Sequence, residues 1–147
     1  MHKKSWGIIV IPVLALVALF CFAQIYLTAP RHDAPDVTRA KSTENKLFVA
    51  SIAPEGGEPK VGPLSSWMLT LRLPNGHPVR NALISLDGGM PDHNHGLPTK
   101  PTVSTDLGEG HYRIEGLKFT MPGVWVLKLV ISTADFGSDE ATFNVVL

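Results

Sequence analysis

Residues Ser65 to Pro74 read SSWMLTLRLP. Trp67, Leu69, Leu71 and Leu73 alternate with Met68, Thr70 and Arg72. A period of two marks a β-strand with one buried and one solvated face. The next residues, Pro74 to Pro78, read PNGHP. Its Asn-Gly pair is a turn signal, because those residues tolerate the left-handed backbone of a tight reversal.

The same grammar runs outward in both directions. Upstream, KLFVASIAP from Lys46 to Pro54 predicts a first strand. Downstream, Asn81 to Asp87 alternates again, with Ala82, Ile84 and Leu86 on one face. After an interruption at Gly88–Pro101, Val103 starts a strand, Gly108 and Gly110 supply a turn, and Tyr112 and Ile114 share a face. GVWVLKLVIS, Gly123 to Ser132, is almost continuously apolar, as expected of a strand in the middle of a sandwich. Asp135 to Ser138 is a turn, and ATFNVVL puts Phe143, Val145 and Leu147 on one face. About seven short strands with regularly spaced turns predict an all-β antiparallel β-sandwich of immunoglobulin-like or cupredoxin-like kind. Trp67, Trp125, Tyr112, Phe119 and Phe143 are the expected large core residues.

The N-terminus follows a different rule. GIIVIPVLALVALFCFAQIYL, Gly7 to Leu27, contains no charged residue. As a helix it is long enough to cross a hydrocarbon core of about 30 Å. Lys3 and Lys4 precede it, which predicts a cytoplasmic N-terminus and an extracytoplasmic C-terminal part. The run exceeds the apolar core of a cleaved signal peptide, and Leu27-Thr28-Ala29 is a poor cleavage site. Phe20 stands before Cys21, where a lipoprotein signal needs a small residue. The reading is a single-pass anchor in the inner (cytoplasmic) membrane, with the C-terminal domain in the periplasm or its equivalent. Cys21 is the only cysteine, so no intrachain disulfide exists. The chain divides into 1–27, a cytoplasmic stub and transmembrane anchor; 28–45, a flexible linker of mixed charge; and 46–147, the β-domain. Formal net charge is +0, which gives no reason to expect nucleic acid as a partner.

The interruption, GGMPDHNHGLPTKP from Gly88 to Pro101, carries the richest chemistry. In an extended stretch His93 and His95 point to one side, about 6.6 Å apart along the chain. Met90 lies just before them, and Met121 stands in the FTMPGVW turn, Phe119 to Trp125. Thioether and imidazole together suit copper, above all Cu(I). Zinc favours thiolate or carboxylate company, and only Asp92 is near. The candidate metal ligands are therefore Met90, His93, His95 and Met121. The alternative is architectural: such histidines hydrogen-bond backbone groups, and such a methionine plugs the end of the sandwich. His111, next to Tyr112, faces away from the core, as a surface residue or an extra ligand. His77, in the PNGHP turn, carries little weight, as do His2 and His32 outside the domain. No nucleophile elbow, Walker loop or H-E-x-x-H is present, so no enzyme activity is expected.

Three stretches resemble the YtkA-like/FixH-like family of small, membrane-anchored extracytoplasmic β-sandwich domains. They are W-x-L-x-L-x-x-P-x-G-x-P-V at Trp67–Val79, G-G-M-P-x-H-x-H-G-L-P-T-x-P at Gly88–Pro101, and G-x-G-x-Y-x-I-E-G-L-x-F-x-M-P-G-x-W at Gly108–Trp125. The resemblance extends over Leu47 to Leu147 and the anchor-then-domain layout, and the central loop is its most specific part. FixH-like members are linked to assembly of copper-containing respiratory oxidases. Related CopC-like and PCuAC-like carriers bind copper through His and Met on loops at one end. Dedicated carriers have multiple Met-x-Met clusters, which this chain lacks. Two functions stay open: a module that binds copper through Met90, His93, His95 and Met121, and a non-metal accessory subunit whose loop is a contact surface. The expected partners are the bilayer and a membrane protein complex, such as a respiratory oxidase or a copper transporter.

Overall fold

The computed structural model describes residues 34–147. The expected membrane helix and the first part of the expected linker lie outside these residues. Among the described residues, no helix is long and apolar enough to cross a membrane.

The described chain forms nine strands: β1 (Ala40–Ser42), β2 (Val49–Pro54), β3 (Leu64–Arg72), β4 (Leu83–Met90), β5 (His95–Gly96), β6 (Thr102–Val103), β7 (His111–Lys118), β8 (Val124–Thr133) and β9 (Gly137–Val146). One sheet has the order β1-β2-β3-β7-β6 and the other β5-β4-β8-β9, with antiparallel ladders throughout. This is a two-sheet β-sandwich. All the strands expected from the sequence are present, and β1 and β5 are additional.

The alternation in β3 behaves as the sequence requires. Trp67, Leu69 and Leu71 are fully buried, while Met68, Thr70 and Arg72 face outward, partly exposed. Trp125, Leu127, Leu129 and Ile131 of β8 and Ala141, Phe143 and Val145 of β9 complete the core from the opposite sheet. Each Leu, Ile, Val or Phe side chain among them contributes about 1.5–3 kcal/mol by leaving water. Although β8 is central in its sheet, its outer face is not buried: Lys128 is exposed there and pairs with Glu140 at 2.5 Å. That ion pair raises the Lys128 pKa.

Two polar contacts fix the connections. The Tyr112 hydroxyl donates to the Val79 carbonyl at 2.9 Å and accepts from the Ala82 amide at 3.1 Å. It thus ties β7 to the crossing between β3 and β4. Asp139 of β9 is buried beside Thr43. Its carboxylate accepts hydrogen bonds from the Thr43 hydroxyl (2.5 Å), the Asn45 amide (3.0 Å) and the Leu47 amide (3.2 Å). Burial by itself raises the Asp139 pKa, but these donors and the Glu140 amide outweigh it and hold the carboxyl well below the usual range.

The stretch read as a linker, 28–45, needs a correction at its C-terminal end, because the sheet begins at Ala40. β1 pairs with β2, Lys41 Nζ sits 5.5 Å from the Phe143 ring centroid, and Thr43 meets Asp139. These residues lack an apolar period of their own. They are ordered by partners far away in sequence.

Candidate functional site

The histidine-bearing segment is a hairpin rather than an extended loop. β4 continues through Gly88 and Gly89 to Met90, and Pro91–His93 forms one 3-10 turn. Asn94 takes the left-handed conformation with φ 51°, and its amide closes the turn on the Pro91 carbonyl at 3.0 Å. The chain returns as β5, which pairs Met90 with His95 and Gly89 with Gly96. The Leu97 amide then donates to the Gly88 carbonyl at 3.0 Å. The glycines are required by close approach. A Cβ on Gly88 would lie 2.1 Å from the Val126 carbonyl oxygen, and one on Gly89 would lie 2.3 Å from that of His95.

His93 and His95 are both exposed at the tip. Their ring centroids are 6.1 Å apart with planes inclined by 37°. The expected extended geometry is replaced by a 3-10 turn and a left-handed residue, yet the rings still lie side by side. His95 Nδ1 is 3.1 Å from the Gly96 carbonyl oxygen, which leaves Nε2 as its outward nitrogen. The His95 ring packs edge-to-face on Trp125 at 5.5 Å. Trp125 in turn meets Phe119 at 5.4 Å, and Phe119 meets Trp67 at 6.4 Å, both edge-on. An unbroken aromatic row therefore runs from the center of the core to the tip. That row and the hairpin beneath it support the tip.

The methionines lie at the same end but are used differently. Met90 is only 2% exposed and belongs to the core. Its terminal methyl fills the space beside Gly123, where an added Cβ would come within 2.7 Å of it. Gly123 follows Met121 by two residues, so the Met121 turn and the histidine hairpin share one end of the sandwich. Met121 is half-buried, and its carbonyl accepts from Trp125 Nε1 at 3.1 Å. The structure thus brings His93 and His95 together, places Met121 at the same end, and gives Met90 the plugging role. Among the described residues, no group of three or more His, Cys, Asp or Glu side chains lies close enough to hold a metal ion.

Beside the hairpin, the outer face of the sheet carries an open groove of about 400 Å³. Its floor is the bare backbone of Gly88 and Gly89, and Asp87, Asn94, His95 and Lys128 line it. His111 lies elsewhere, at the far end of β7, with Nδ1 3.1 Å from the Thr70 hydroxyl. The sequence alone did not single out Gly123, Trp125 or Asn94 as parts of this site. The Asn-His-Gly run was a signal for a left-handed residue. Nothing local marked Gly123 as the neighbor of Met90.

A family model described as YtkA-like matches residues 38–130, most of the chain. The chain belongs to the YtkA-like family. The match starts just before β1 and ends within β8, while β9, outside it, completes the sandwich. No curated protein and no solved structure matches the chain.

Proposed function

We propose that this YtkA-like chain is a membrane-anchored, extracytoplasmic accessory module of a membrane protein complex, and that its working surface is the tip formed by Pro91–Gly96. One observation carries this reading. The hairpin consumes Gly88, Gly89 and Met90 in architecture and displays His93 and His95 in the open. The sequence of Gly7–Leu27 supports the anchor, and Lys3 and Lys4 support the topology. A respiratory oxidase or a copper-transporting complex is the class of partner that the family resemblance favors. No step in this role needs catalysis.

The test is affinity purification of the tagged full chain from membranes at native expression. The parent is expected to bring a larger membrane complex with it, and the His93→Ala/His95→Ala double variant is expected to lose it. Purification of the parent as a lone monomer sinks the proposal.

The ring spacing favors a second reading. With metal–nitrogen bonds of about 2 Å, two imidazoles on one ion have centroids roughly 5–6.5 Å apart. The observed 6.1 Å fits that range. His93 and His95, joined by the Met121 thioether, would then hold Cu(I), a soft ion suited to that donor set. Met90 would have to leave the core to take part. A competition titration with Cu(I) on the detergent-solubilized chain checks this. Binding should survive Met90→Leu and vanish in the double histidine variant; a double variant that binds copper like the parent removes these ligands from consideration.

A further inference from the structure

We propose that the open edge of β4, Leu83–Asp87, is a pairing site for a second copy of this chain, with the two β4 strands antiparallel about a two-fold axis at Ser85. Such pairing does not involve the histidine tip and goes beyond the accessory role.

Most edges of the two sheets are short or covered. β1 and β6, the edges of the first sheet, have three and two residues. An edge that short offers little to pair with. The long edge of β9 is covered by the chain ahead of β2. There the Glu44 amide donates to the Glu140 carbonyl and Asn144 Nδ2 to the Asp36 carbonyl, both at 2.9 Å. The edge of β4 differs. β5 covers only Gly89 and Met90, and Leu83–Asp87 pairs with β8 alone among the described residues. This stretch has no proline, no lysine and no bulge, devices that commonly blunt an edge. Its one charge, Asp87, stands at the end.

The direction of its backbone groups follows from the hairpin. The Gly88 carbonyl accepts from the Leu97 amide, so it points away from β8. Successive residues of a strand turn their backbone groups to opposite sides, so Leu86 and Ile84 share the direction of Gly88. The Ala82 amide continues the series and is bound by the Tyr112 hydroxyl. The Gly88 amide is bound by the Asp87 carboxylate at 2.7 Å. Between these capped positions, the amides and carbonyls of Ile84 and Leu86 have no partner among the described residues.

Those groups are self-complementary. With Ile84 opposite Leu86 of the second copy, and Leu86 opposite its Ile84, every free amide meets a free carbonyl. A slip by two residues in either direction would face them with groups already bound at Ala82 or Gly88. The side chains agree with this register. Ile84 and Leu86, half-buried against the core, form apolar cross-strand pairs with their counterparts. A slot of about 340 Å³ beside Ile84, walled by Val103 and Thr105, gives room to the incoming Leu86. The two Ser85 hydroxyls meet on the axis and can hydrogen-bond. Each Asp87 faces a Leu83, about 13 Å along the strand from the other Asp87, beyond the Debye length of about 8 Å. Leu83, 79% exposed in the single chain, gains a neighbor. The pairing is short beside the roughly 20–30 residues a side of a stable interface, so the dimer is weak and concentration-dependent.

Two measurements on the detergent-solubilized full chain test this. The first compares Ser85→Cys with Leu83→Cys, both in a Cys21→Ser background. The two positions 85 form a non-hydrogen-bonded pair with Cα atoms about 4.5 Å apart, within disulfide reach. The two positions 83 lie about 13 Å apart along the strand, out of reach. Ser85→Cys should therefore oxidize to a linked dimer several-fold faster, even though Leu83 is highly exposed. Equal rates, or no linked dimer from either, overturn the proposal. The second is sedimentation equilibrium. The parent should move from monomer toward dimer as concentration rises, and His93→Ala/His95→Ala should follow it. Ser85→Lys, which sets like charges on the axis at an exposed position, should stay monomeric and folded. A parent that remains monomeric, or a Ser85→Lys chain that dimerizes like the parent, overturns the proposal. If Ser85→Lys fails to fold, the cysteine comparison decides. Linkage of Ser85→Cys to a different protein in native membranes, with none to a second copy, gives the edge to another partner and overturns it as well.

Discussion

The two ends of the sandwich use polar residues in opposite ways. At the lower end, Asp139 is buried and its carboxylate is surrounded by donors from Thr43, Asn45 and Leu47. At the upper end, His93 and His95 are exposed on a hairpin supported by other residues. A fully satisfied buried polar group is spent on the fold, because removing a partner leaves desolvated groups unpaired. Polar groups that architecture supports but does not consume are free to act on something else. The contrast sets a stabilizing end against the end on which the proposed function rests, and it can be tested from both sides.

The largest effect is expected at the lower end. Asp139→Ala strands the amides of Asn45 and Leu47 and leaves the Thr43 hydroxyl with Phe48 alone, and should cost about 2–4 kcal/mol in urea unfolding. Co-purification of the membrane complex should persist at temperatures where the variant stays folded. Loss of the complex from a folded Asp139→Ala protein would erase the division between the ends.

Next comes the hairpin. Gly88→Ala forces a Cβ against the Val126 carbonyl, and should cost about 1–3 kcal/mol. It should also disturb the His93–His95 spacing, visible as shifted imidazole resonances. An unchanged stability would mean that the ladder yields there, and close approach would not be what requires glycine at position 88.

A third test uses pH. The folded Asp139 carboxyl sits well below its usual pKa. The stability it contributes is fully present above the unfolded value of about 3.9, and is lost as pH falls below it toward the depressed folded value. Urea midpoints of the parent should be level from neutral pH to about 5 and fall steeply below about 4. Asp139→Asn should start lower and fall less steeply. Parallel curves would place the acid sensitivity elsewhere.

The smallest effect on stability belongs to the tip. His93→Ala/His95→Ala should shift unfolding by no more than about 1 kcal/mol, because both positions are exposed and the His95 edge contact with Trp125 is the main one lost. The same variant should lose the partner complex. A large destabilization would return the histidines to architecture and weaken both functional readings.

How far the sequence reaches can be traced residue by residue. Trp67, Leu69 and Leu71 declare their burial locally, since alternation along a strand is set by the pleat of the backbone itself. The core aromatics follow from size and hydrophobicity, and all five expected ones are fully buried. Fold class, the main strands and the position of the candidate loop were therefore legible. The stretch Asp36–Thr43 was not. Its residues are short, charged and unpatterned, and become a strand only because β2, β9 and Trp67 surround them.

The loop shows the same boundary. Sequence alone marked Met90, His93, His95 and Met121 as candidate ligands, because residue type is a local property, but it did not show that Met121 comes near the other three. It could not assign their roles. Met90 is a core plug because Gly123, distant in the chain, opens a space for its methyl group. The histidines lie side by side because Asn94 turns left-handed within a hairpin that Val126 and Trp125 back. Likewise, Asp36–Thr43 is placed by distant partners, among them Asn144, β2 and Asp139. Periodicity follows from neighbors along the backbone, whereas burial, spacing and orientation depend on which distant segments come to share a layer, and only the folded structure decided that.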